Sequence, residues 1–255
     1  TVRVEMNKRE KDLWQGINAR AQDELSTRNY RIESFGQELS ERGVEASQLV
    51  TAERKNREIE KGWIPGVEIF PRKIHPQHHR GSFGEFVRRD EGILAQIGLW
   101  PKQWSAARMF AQTAKGFHVH PPSIPDGVTA ADWLRRLFID EPDNYSLRRY
   151  DEEQWDVMFF LQGRAETILC DVRTGLSKRI MRFFVDGDNH RSSNNIGIVI
   201  PPGVAHAIRA EGSEDVIMVY GTSTIFTPEF EGRIASEIET AELPEKWATF
   251  LGRGD

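Results

Sequence analysis

The sequence has very little cysteine and no long apolar run. Cys170 is the single cysteine in 255 residues, which rules out an internal disulfide and predicts a reducing compartment, the cytoplasm. Its apolar neighbours in Thr167–Leu169 predict a buried, unreactive thiol. No apolar stretch approaches the roughly 18–20 residues that cross a bilayer. Residues 1–9 are charged and lack the apolar centre of an export signal, so export is not expected.

The chain also has no excess of positive charge. The net charge is −5 at pH 7, which provides no general attraction to nucleic acid or to an anionic membrane. Hydrophobic residues make up 38% and charged residues 29% of the chain, as in an ordinary globular protein. We therefore expect a small-molecule partner and neither nucleic acid nor membrane.

The chain divides by composition into three parts. Residues 1–62 predict a helical N-terminal extension, because Lys8–Leu25 has apolar residues at helical spacing and 36–61 is a polar helical stretch ended by Gly62. The extension is compatible with an oligomerisation or regulatory arm and equally with a simple appendage. Residues 63–235 predict strands, and 236–255 predict a helical or irregular tail.

The strand region predicts an all-β domain. Short strands separated by turns about every 8–12 residues are typical of a closed or sandwiched sheet. Residues 121–150 interrupt this pattern with a proline-rich loop and a short helix capped by Thr129. An insertion of this length favours a lid or a pocket wall.

Three histidines and one carboxylate are the candidate functional residues. His118 and His120 stand at i and i+2 in an extended stretch, so their side chains are expected on the same side of a strand. His206 follows a Pro-Pro-Gly turn, and Asp156 lies seven residues before Gly163. We expect all four side chains to meet in one barrel pocket.

Four segments carry a family resemblance. They are Arg80–Glu85 (RGSFGE), Lys115–His118 (KGFH), Asp156–Arg173 (DVMFFLQGRAETILCDVR) and Ile200–His206 (IPPGVAH). In this order they resemble the RGxFxE, RGxH, strand–glycine–strand and IPxGxAH motifs of the dTDP-4-dehydrorhamnose 3,5-epimerases. The resemblance covers about residues 63–235. It implies a cupin double-stranded β-helix, a jelly-roll barrel, and a homodimer.

The resemblance also implies roles for single residues. His118 takes the position of the base that removes a proton beside a ketone, and Tyr220 that of the acid. Histidine suits the first role because its pKa lies near working pH. The residues at the positions that bind nucleotide and diphosphate are Arg80, Phe83, Glu85 and Lys115. The substrate implied is a carbohydrate or nucleotide-linked keto-sugar, and this chemistry requires no cofactor.

Departures from the family favour a second hypothesis. Asp156 aligns with the lysine that steadies the enolate, and His120 replaces a glutamine. His118, His120, Asp156 and His206 together resemble the metal ligands of the wider cupin superfamily, with aspartate in place of glutamate. Three imidazoles and a carboxylate suit Zn, Fe, Mn or Ni. The alternative is therefore a metal-dependent cupin enzyme, either a sugar isomerase or a dioxygenase.

Plainer interpretations also fit these residues. Each histidine can line an ordinary pocket, Asp156 can be a solvated residue at a strand start, and Tyr220 can be a core aromatic with a satisfied hydroxyl. A third class of function, a sugar-binding cupin without catalysis, fits the missing lysine. Metal content and solvent hydrogen exchange separate the three classes.

Overall fold

The described part of the chain is the predicted strand region with a short piece of the N-terminal extension. The computed structural model describes residues 44–50, 63–111, 113–177, 179–190, 192–227 and 232–233. The predicted amphipathic helix at 8–25 and the tail at 236–255 lie outside these residues. Most of the polar stretch at 36–61 does too.

Strands dominate the described residues. The thirteen strands found there are β1 (Val44–Glu45), β2 (Glu68–Pro71), β3 (Ile74–Pro76), β4 (Ser82–Gly84), β5 (Gln103–Met109), β6 (Ala114–Val119), β7 (Asp156–Gln162), β8 (Arg164–Asp171), β9 (Ile180–Asp186), β10 (Ile196–Ile200), β11 (Val204–Glu211), β12 (Val216–Thr222) and β13 (Gly232–Arg233). The short α-helices are α1 (Ala46–Val50), α2 (Gly92–Ile97) and α3 (Ala130–Arg135).

The strand order is that of a jelly roll. One sheet has the order β1-β9-β8-β11-β6-β13 and the other β2-β10-β7-β12-β5, while β3 and β4 form a separate hairpin. All pairs in the two large sheets are antiparallel except the parallel pair β1–β9. From β5 to β12 the chain passes between the sheets at every connection except β8–β9. This exchange is the double-stranded β-helix of cupins, so the predicted fold is confirmed.

Strand β7 is apolar on both faces because both are covered. Alternate side chains point to opposite faces of a strand. Met158 and Phe160 belong to the core between the two sheets. Val157 and Phe159 face the other way and pack in a second apolar cluster, outside the five-stranded sheet.

The insertion predicted at 121–150 supplies much of this outer cluster. Helix α3 continues into a π-helical turn at Arg136–Asp140, and this segment buries Trp133, Leu134, Leu137 and Phe138. Gly66 lies against it so closely that a Cβ atom would be 2.5 Å from Phe138 Cε1. The insertion therefore covers the outside of the five-stranded sheet.

Residues 44–50 of the predicted N-terminal extension contact the barrel. Residues 44–50, which the sequence predicts as part of a helical extension, add strand β1 to the edge of β9. Ala46 and Leu49 of helix α1 are buried in the core between the sheets. This short piece is therefore part of the barrel domain.

Candidate active site

A cavity of about 250 Å³ opens between the two sheets. Its lining combines imidazole, carboxylate and phenol groups with apolar side chains, and consists of Ala107, Met109, Lys115, His118, His120, Gln154, Asp156, Met158, His206, Ile208, Met218, Tyr220 and Phe226. A small number of polar groups in a mostly apolar pocket is typical of a small-molecule site.

The three histidines of the predicted site lie side by side on the six-stranded sheet. His118 of β6 is paired in register with His206 of β11, and their ring centroids are 5.8 Å apart. His120 follows the end of β6, with its ring centroid 5.7 Å from that of His206. His120 and His206 are buried, and His118 is half-buried.

Asp156, the first residue of β7, brings its carboxylate from the opposite sheet. Its Oδ2 is 3.1 Å from His120 Nε2 and 3.5 Å from His206 Nε2. Its Oδ1 accepts a hydrogen bond from Gln154 Nε2 at 2.9 Å. The carboxylate is 3% exposed, so the surrounding rings and the amide take the place of water around it.

The burial of this cluster shifts two pKa values. Burial alone would raise the pKa of Asp156, but the facing His120 ring outweighs it through charge and hydrogen bonding and lowers the pKa to about 2. Burial lowers the pKa of His206 to about 4, although the Asp156 charge opposes this shift. At neutral pH the carboxylate is therefore ionised and the His206 ring is neutral.

The donor set of this cluster fits a metal ion. Atoms of His120, Asp156 and His206 all lie within 4.8 Å of one another. His206 Nδ1 lies 3.3 Å from the Val204 carbonyl oxygen. When Nδ1–H donates there, the Nε2 lone pair of the neutral ring faces the Asp156 carboxylate, and a cation or proton between them satisfies both. Two imidazoles and one carboxylate are ligands that zinc and non-haem iron accept.

His118 lies outside this three-residue set, although the sequence includes it among the four expected ligands. Its ring stacks against that of His206 with an interplanar angle of 22°. It lines the same cavity and is more exposed than the other two rings. His118 is therefore part of the cavity wall and not of the buried three-residue cluster.

Tyr220 and Lys115 are also found at the cavity. Tyr220 belongs to β12 of the five-stranded sheet, so it faces His118 from the opposite wall. Lys115 belongs to β6, and its Nζ donates to the Arg108 carbonyl oxygen at 3.4 Å. The lysine is exposed and stands at the cavity's solvent side.

The other three predicted substrate-binding residues lie away from this cavity. Arg80 and Phe83 are exposed on and beside the β3–β4 hairpin, and Phe83 stacks on His75. Glu85 accepts hydrogen bonds from Arg88 Nε and Nη2 at 3.0 and 2.9 Å. Within one copy of the chain, these residues do not line the pocket that contains the histidines.

Gln154 is a pocket residue that the sequence motifs do not indicate. Its amide nitrogen lies 3.1 Å from His120 Nε2 and also donates to Asp156. Its Oε1 lies 3.5 Å from Thr224 Oγ1. The sequence does contain one indication of this position. Gln154 stands two residues before Asp156, and side chains at i and i+2 lie on the same face of an extended chain.

Comparison with known proteins gives one curated relative and several solved structures. No protein-family model matches the chain. The spore coat polysaccharide biosynthesis protein SpsL of Bacillus subtilis (strain 168) is 27% identical over 180 residues, 69% of this chain and 93% of that protein.

The solved structures are those of nucleotide-sugar enzymes. The 3'-monoepimerase ChmJ of Streptomyces bikiniensis, in complex with dTDP-quinovose, has a TM-score of 0.47 and 19% identity, covering 67% of this chain and 70% of that one. The dTDP-4-dehydrorhamnose 3,5-epimerase of Bacillus anthracis has a TM-score of 0.48 and 14% identity, covering 70% of this chain and 84% of that one. The dTDP-6-deoxy-D-glucose-3,5-epimerase of Legionella pneumophila has a TM-score of 0.48 and 19% identity, covering 74% of this chain and 89% of that one. The chain is similar in structure to these dTDP-sugar epimerases.

Among the described residues, no helix is both long enough and apolar enough to cross a membrane.

Proposed function

We propose that this protein is an isomerase of the epimerase type, which acts on a nucleotide-linked keto-sugar by removing a proton beside the carbonyl. The observation that carries the proposal is that His118 and Tyr220 line one cavity from facing sheets. A base on one wall and an acid on the other can remove a proton from one side of a carbon and return it from the opposite side. Inversion at that carbon is the result.

In this proposal His118 is the base and Tyr220 the acid. His118 is the most exposed of the three histidines and lines the cavity. The enolate needs a nearby donor or cation. Lys115, on the lining of the same cavity, is the residue we assign to this role. Proton transfer between these side chains requires no cofactor.

The substrate class is supported by the relative and by the sequence motifs. SpsL is a polysaccharide biosynthesis protein that matches this chain over nearly all of its own length. Polysaccharides are assembled from activated sugars, and Arg80, Glu85 and Lys115 take positions that bind the nucleotide in the family that the motifs resemble. We place the reaction in the cytoplasm, in keeping with the single cysteine of the sequence.

We also propose that the protein acts as a homodimer. Arg80, Phe83 and Glu85 are assigned to nucleotide binding but lie outside the histidine cavity of their own copy. Phe83 is 51% and Phe86 37% exposed, which leaves aromatic surface for a second copy to cover. A partner whose β3–β4 hairpin reaches this cavity would complete the nucleotide site. Sedimentation velocity tests the assembly, and a monomer at all concentrations would refute it.

The test of the reaction is solvent hydrogen exchange on a dTDP-4-keto-6-deoxy sugar in D₂O. The native protein is expected to introduce deuterium at C3 or C5. His118→Ala should slow the exchange by about 10²–10⁴-fold, the usual contribution of a general base. Tyr220→Phe keeps the ring and removes only the hydroxyl, so it should allow deuterium uptake while slowing inversion.

The exchange experiment has a control and a contrary outcome. His190→Ala changes a histidine outside the cavity, bonded to Glu214, and should leave the rate unchanged. Binding of the sugar nucleotide without any deuterium uptake would contradict the proposal and support the sugar-binding protein without catalysis.

The second candidate is a metal-dependent cupin enzyme, a sugar isomerase or a dioxygenase. The convergence of His120, Asp156 and His206 within 4.8 Å favours it. These three residues would hold the ion, and His118 would stand beside it. A divalent Zn, Fe, Mn or Ni ion would supply Lewis-acid polarisation of a bound oxygen.

Elemental analysis of protein purified without added metal tests this candidate. A stoichiometric transition metal that disappears in both Asp156→Ala and His206→Ala is the result expected for a metal enzyme. The exposed His190 provides the matched control, since His190→Ala leaves the cluster intact. Metal-free protein that still exchanges deuterium would reject this candidate and leave the first proposal in place.

A further inference from the structure

A second, larger cavity lies on the outside of the five-stranded sheet. It has a volume of about 610 Å³, within the range of small-molecule sites. Its lining comes from the start of the barrel domain, from the insertion and from Arg179, and consists of Trp63, Pro65, Gly66, Glu68, Ile97, Phe138, Ile139, Pro142, Asp143, Tyr145, Arg148, Tyr150, Trp155 and Arg179. It shares no lining residue with the histidine cavity.

Flat aromatic rings and one guanidinium form the inner part of this cavity. Arg148 stacks over the ring of Phe138, with its Cζ 4.4 Å from the ring centroid, and lies 5.3 Å from that of Trp155. Tyr150 packs edge-on against Trp155 and donates its hydroxyl to the Ile97 carbonyl oxygen at 2.6 Å. These contacts hold the rings and the cation in fixed positions.

Arg148 forms no salt bridge among the described residues, and Glu153 acts on its guanidinium through charge alone. Its Nη2 donates to the Pro142 carbonyl oxygen at 3.1 Å, while its Nη1 is buried with no hydrogen-bond partner. The nearby carboxylate of Glu153 is committed to Trp155 Nε1 and to the Ser123 backbone N–H. Burial lowers the pKa of Arg148. A buried N–H group of a guanidinium that lacks a hydrogen-bond partner is costly, and an anion in the cavity would remove that cost.

A second arginine nearby does form a salt bridge. Arg173 stacks on the same Phe138 ring, with its Cζ 4.1 Å from the centroid. However, its guanidinium is bound to both carboxylate oxygens of Asp171, each at 2.8 Å. Its charge is therefore balanced by that carboxylate.

The remaining polar groups of the lining suit hydroxyl groups. The carboxylates of Glu68 and Asp143 face the same cavity, and Asp143 Oδ1 accepts from the Tyr145 hydroxyl at 3.3 Å. Carboxylates accept hydrogen bonds from sugar hydroxyls, and the faces of aromatic rings pack against the C–H groups of a sugar ring. A cation for an anionic group, acceptors for hydroxyls and flat walls for a ring occur together here.

We propose that this outer cavity binds an anionic sugar, that is, a sugar carrying a phosphate or a carboxylate, with Arg148 paired to the anionic group. The aromatic rings would hold the sugar ring, and Glu68 and Asp143 would accept its hydroxyls. This proposal does not depend on the reaction assigned to the histidine cavity. It gives the insertion at 121–150 a binding role separate from that cavity.

Isothermal titration calorimetry on the full chain tests this proposal, with glucose 1-phosphate and glucuronate as probes and glucose and inorganic phosphate as comparisons. At least one of the two anionic sugars is expected to bind, and more tightly than either comparison. Arg148→Gln should weaken that binding at least tenfold. Ile139→Trp should also weaken it by filling the mouth of the cavity, where Ile139 is 44% exposed, without altering the arginine.

Two matched variants should leave the affinity unchanged. Arg149→Gln removes the neighbouring arginine, which is bound to Ser123 Oγ and Glu152 outside the cavity. His118→Ala alters only the barrel cavity. The proposal is overturned if neither anionic sugar binds the folded native protein, or if inorganic phosphate binds as tightly as glucose 1-phosphate. It is equally overturned if His118→Ala abolishes the binding while Arg148→Gln and Ile139→Trp leave it intact.

Discussion

Asp156 is the residue whose surroundings matter most for the chemistry of the barrel cavity. In the motif alignment, Asp156 takes the position of a lysine in the epimerases that the sequence resembles. A carboxylate at this position would repel the negative charge of an enolate. In the folded protein its two oxygens face His120, His206 and Gln154. The negative charge of Asp156 therefore faces polar side chains. Lys115 lines the same cavity and carries a positive charge.

A residue-scale prediction concerns Gly163, which joins β7 to β8. It has a φ of +78°, and a Cβ atom there would lie 2.6 Å from the Asp215 carbonyl oxygen. Gly163→Ala should lower the free energy of unfolding by about 2–5 kcal/mol, because left-handed strain and the backbone clash add together. Urea denaturation followed by fluorescence measures this loss.

Gly212 is the matched control for this prediction. Its φ is +76°, but a Cβ atom there would meet nothing within 4 Å. Gly212→Ala should therefore cost only the strain, about 1–2 kcal/mol. If Gly163→Ala and Gly212→Ala lower the free energy of unfolding equally, the close approach to the Asp215 carbonyl oxygen does not contribute to the cost.

At the scale of elements, a polar network joins the β1–α1 segment to the barrel. Arg164 of β8 lies 2.5 Å from Glu45 Oε1 and 2.9 Å from Asp186 Oδ1. Asn194 bonds to both acids and accepts from the Ser47 backbone N–H at 3.1 Å. Because these contacts link β1, β8 and β9, the order of the sheet edge depends on Asp186 being ionised.

This network predicts acid sensitivity. Burial alone would raise the pKa of Asp186, but hydrogen bonds from Ser192 and Arg164 outweigh it and lower the pKa. Below about pH 4, the ordinary pKa of an aspartate, the unfolded chain binds more protons than the folded one. The stabilisation from Asp186 is therefore present above that pH and is lost as the pH falls through the lowered folded-state pKa.

The measurement is the free energy of unfolding from urea titrations between pH 2.5 and 6. Native protein should lose stability below about pH 4, and Asp186→Asn should be less stable at pH 6 with a shallower acid slope. Asp126→Asn, a change at an exposed carboxylate outside this network, serves as the comparison variant. If Asp186→Asn loses stability with falling pH as steeply as the native protein does, Asp186 is not a source of the acid sensitivity.

At the scale of the whole molecule, β7 separates two cavities. Asp156 and Met158 of β7 face the histidine cavity, while Val157 and Phe159 pack into the outer apolar cluster. Trp155, which immediately precedes β7, lines the outer cavity formed with the insertion. This arrangement requires a strand that is apolar on both faces, and a two-sided apolar run is what DVMFFLQ provides.

The sequence alone determined the fold class and the pocket residues nearest to the chemistry. Strand periodicity and the order of the motifs led to the jelly roll, and the i, i+2 spacing placed His118 and His120 on one cavity, because period-2 alternation is a local property of extended chain. The roles of His118, Tyr220 and the metal ligands remain proposals.

Only the tertiary structure decided which groups meet across the sheets. Contacts between elements far apart in the chain determine the approach of Asp156 to His120 and His206 and the distance of Arg80 and Glu85 from that cluster. No local pattern encodes such contacts, because they are set by how the two sheets and the insertion pack together. The same packing moved residues 44–50 into the barrel, through pairing with a strand more than a hundred residues away.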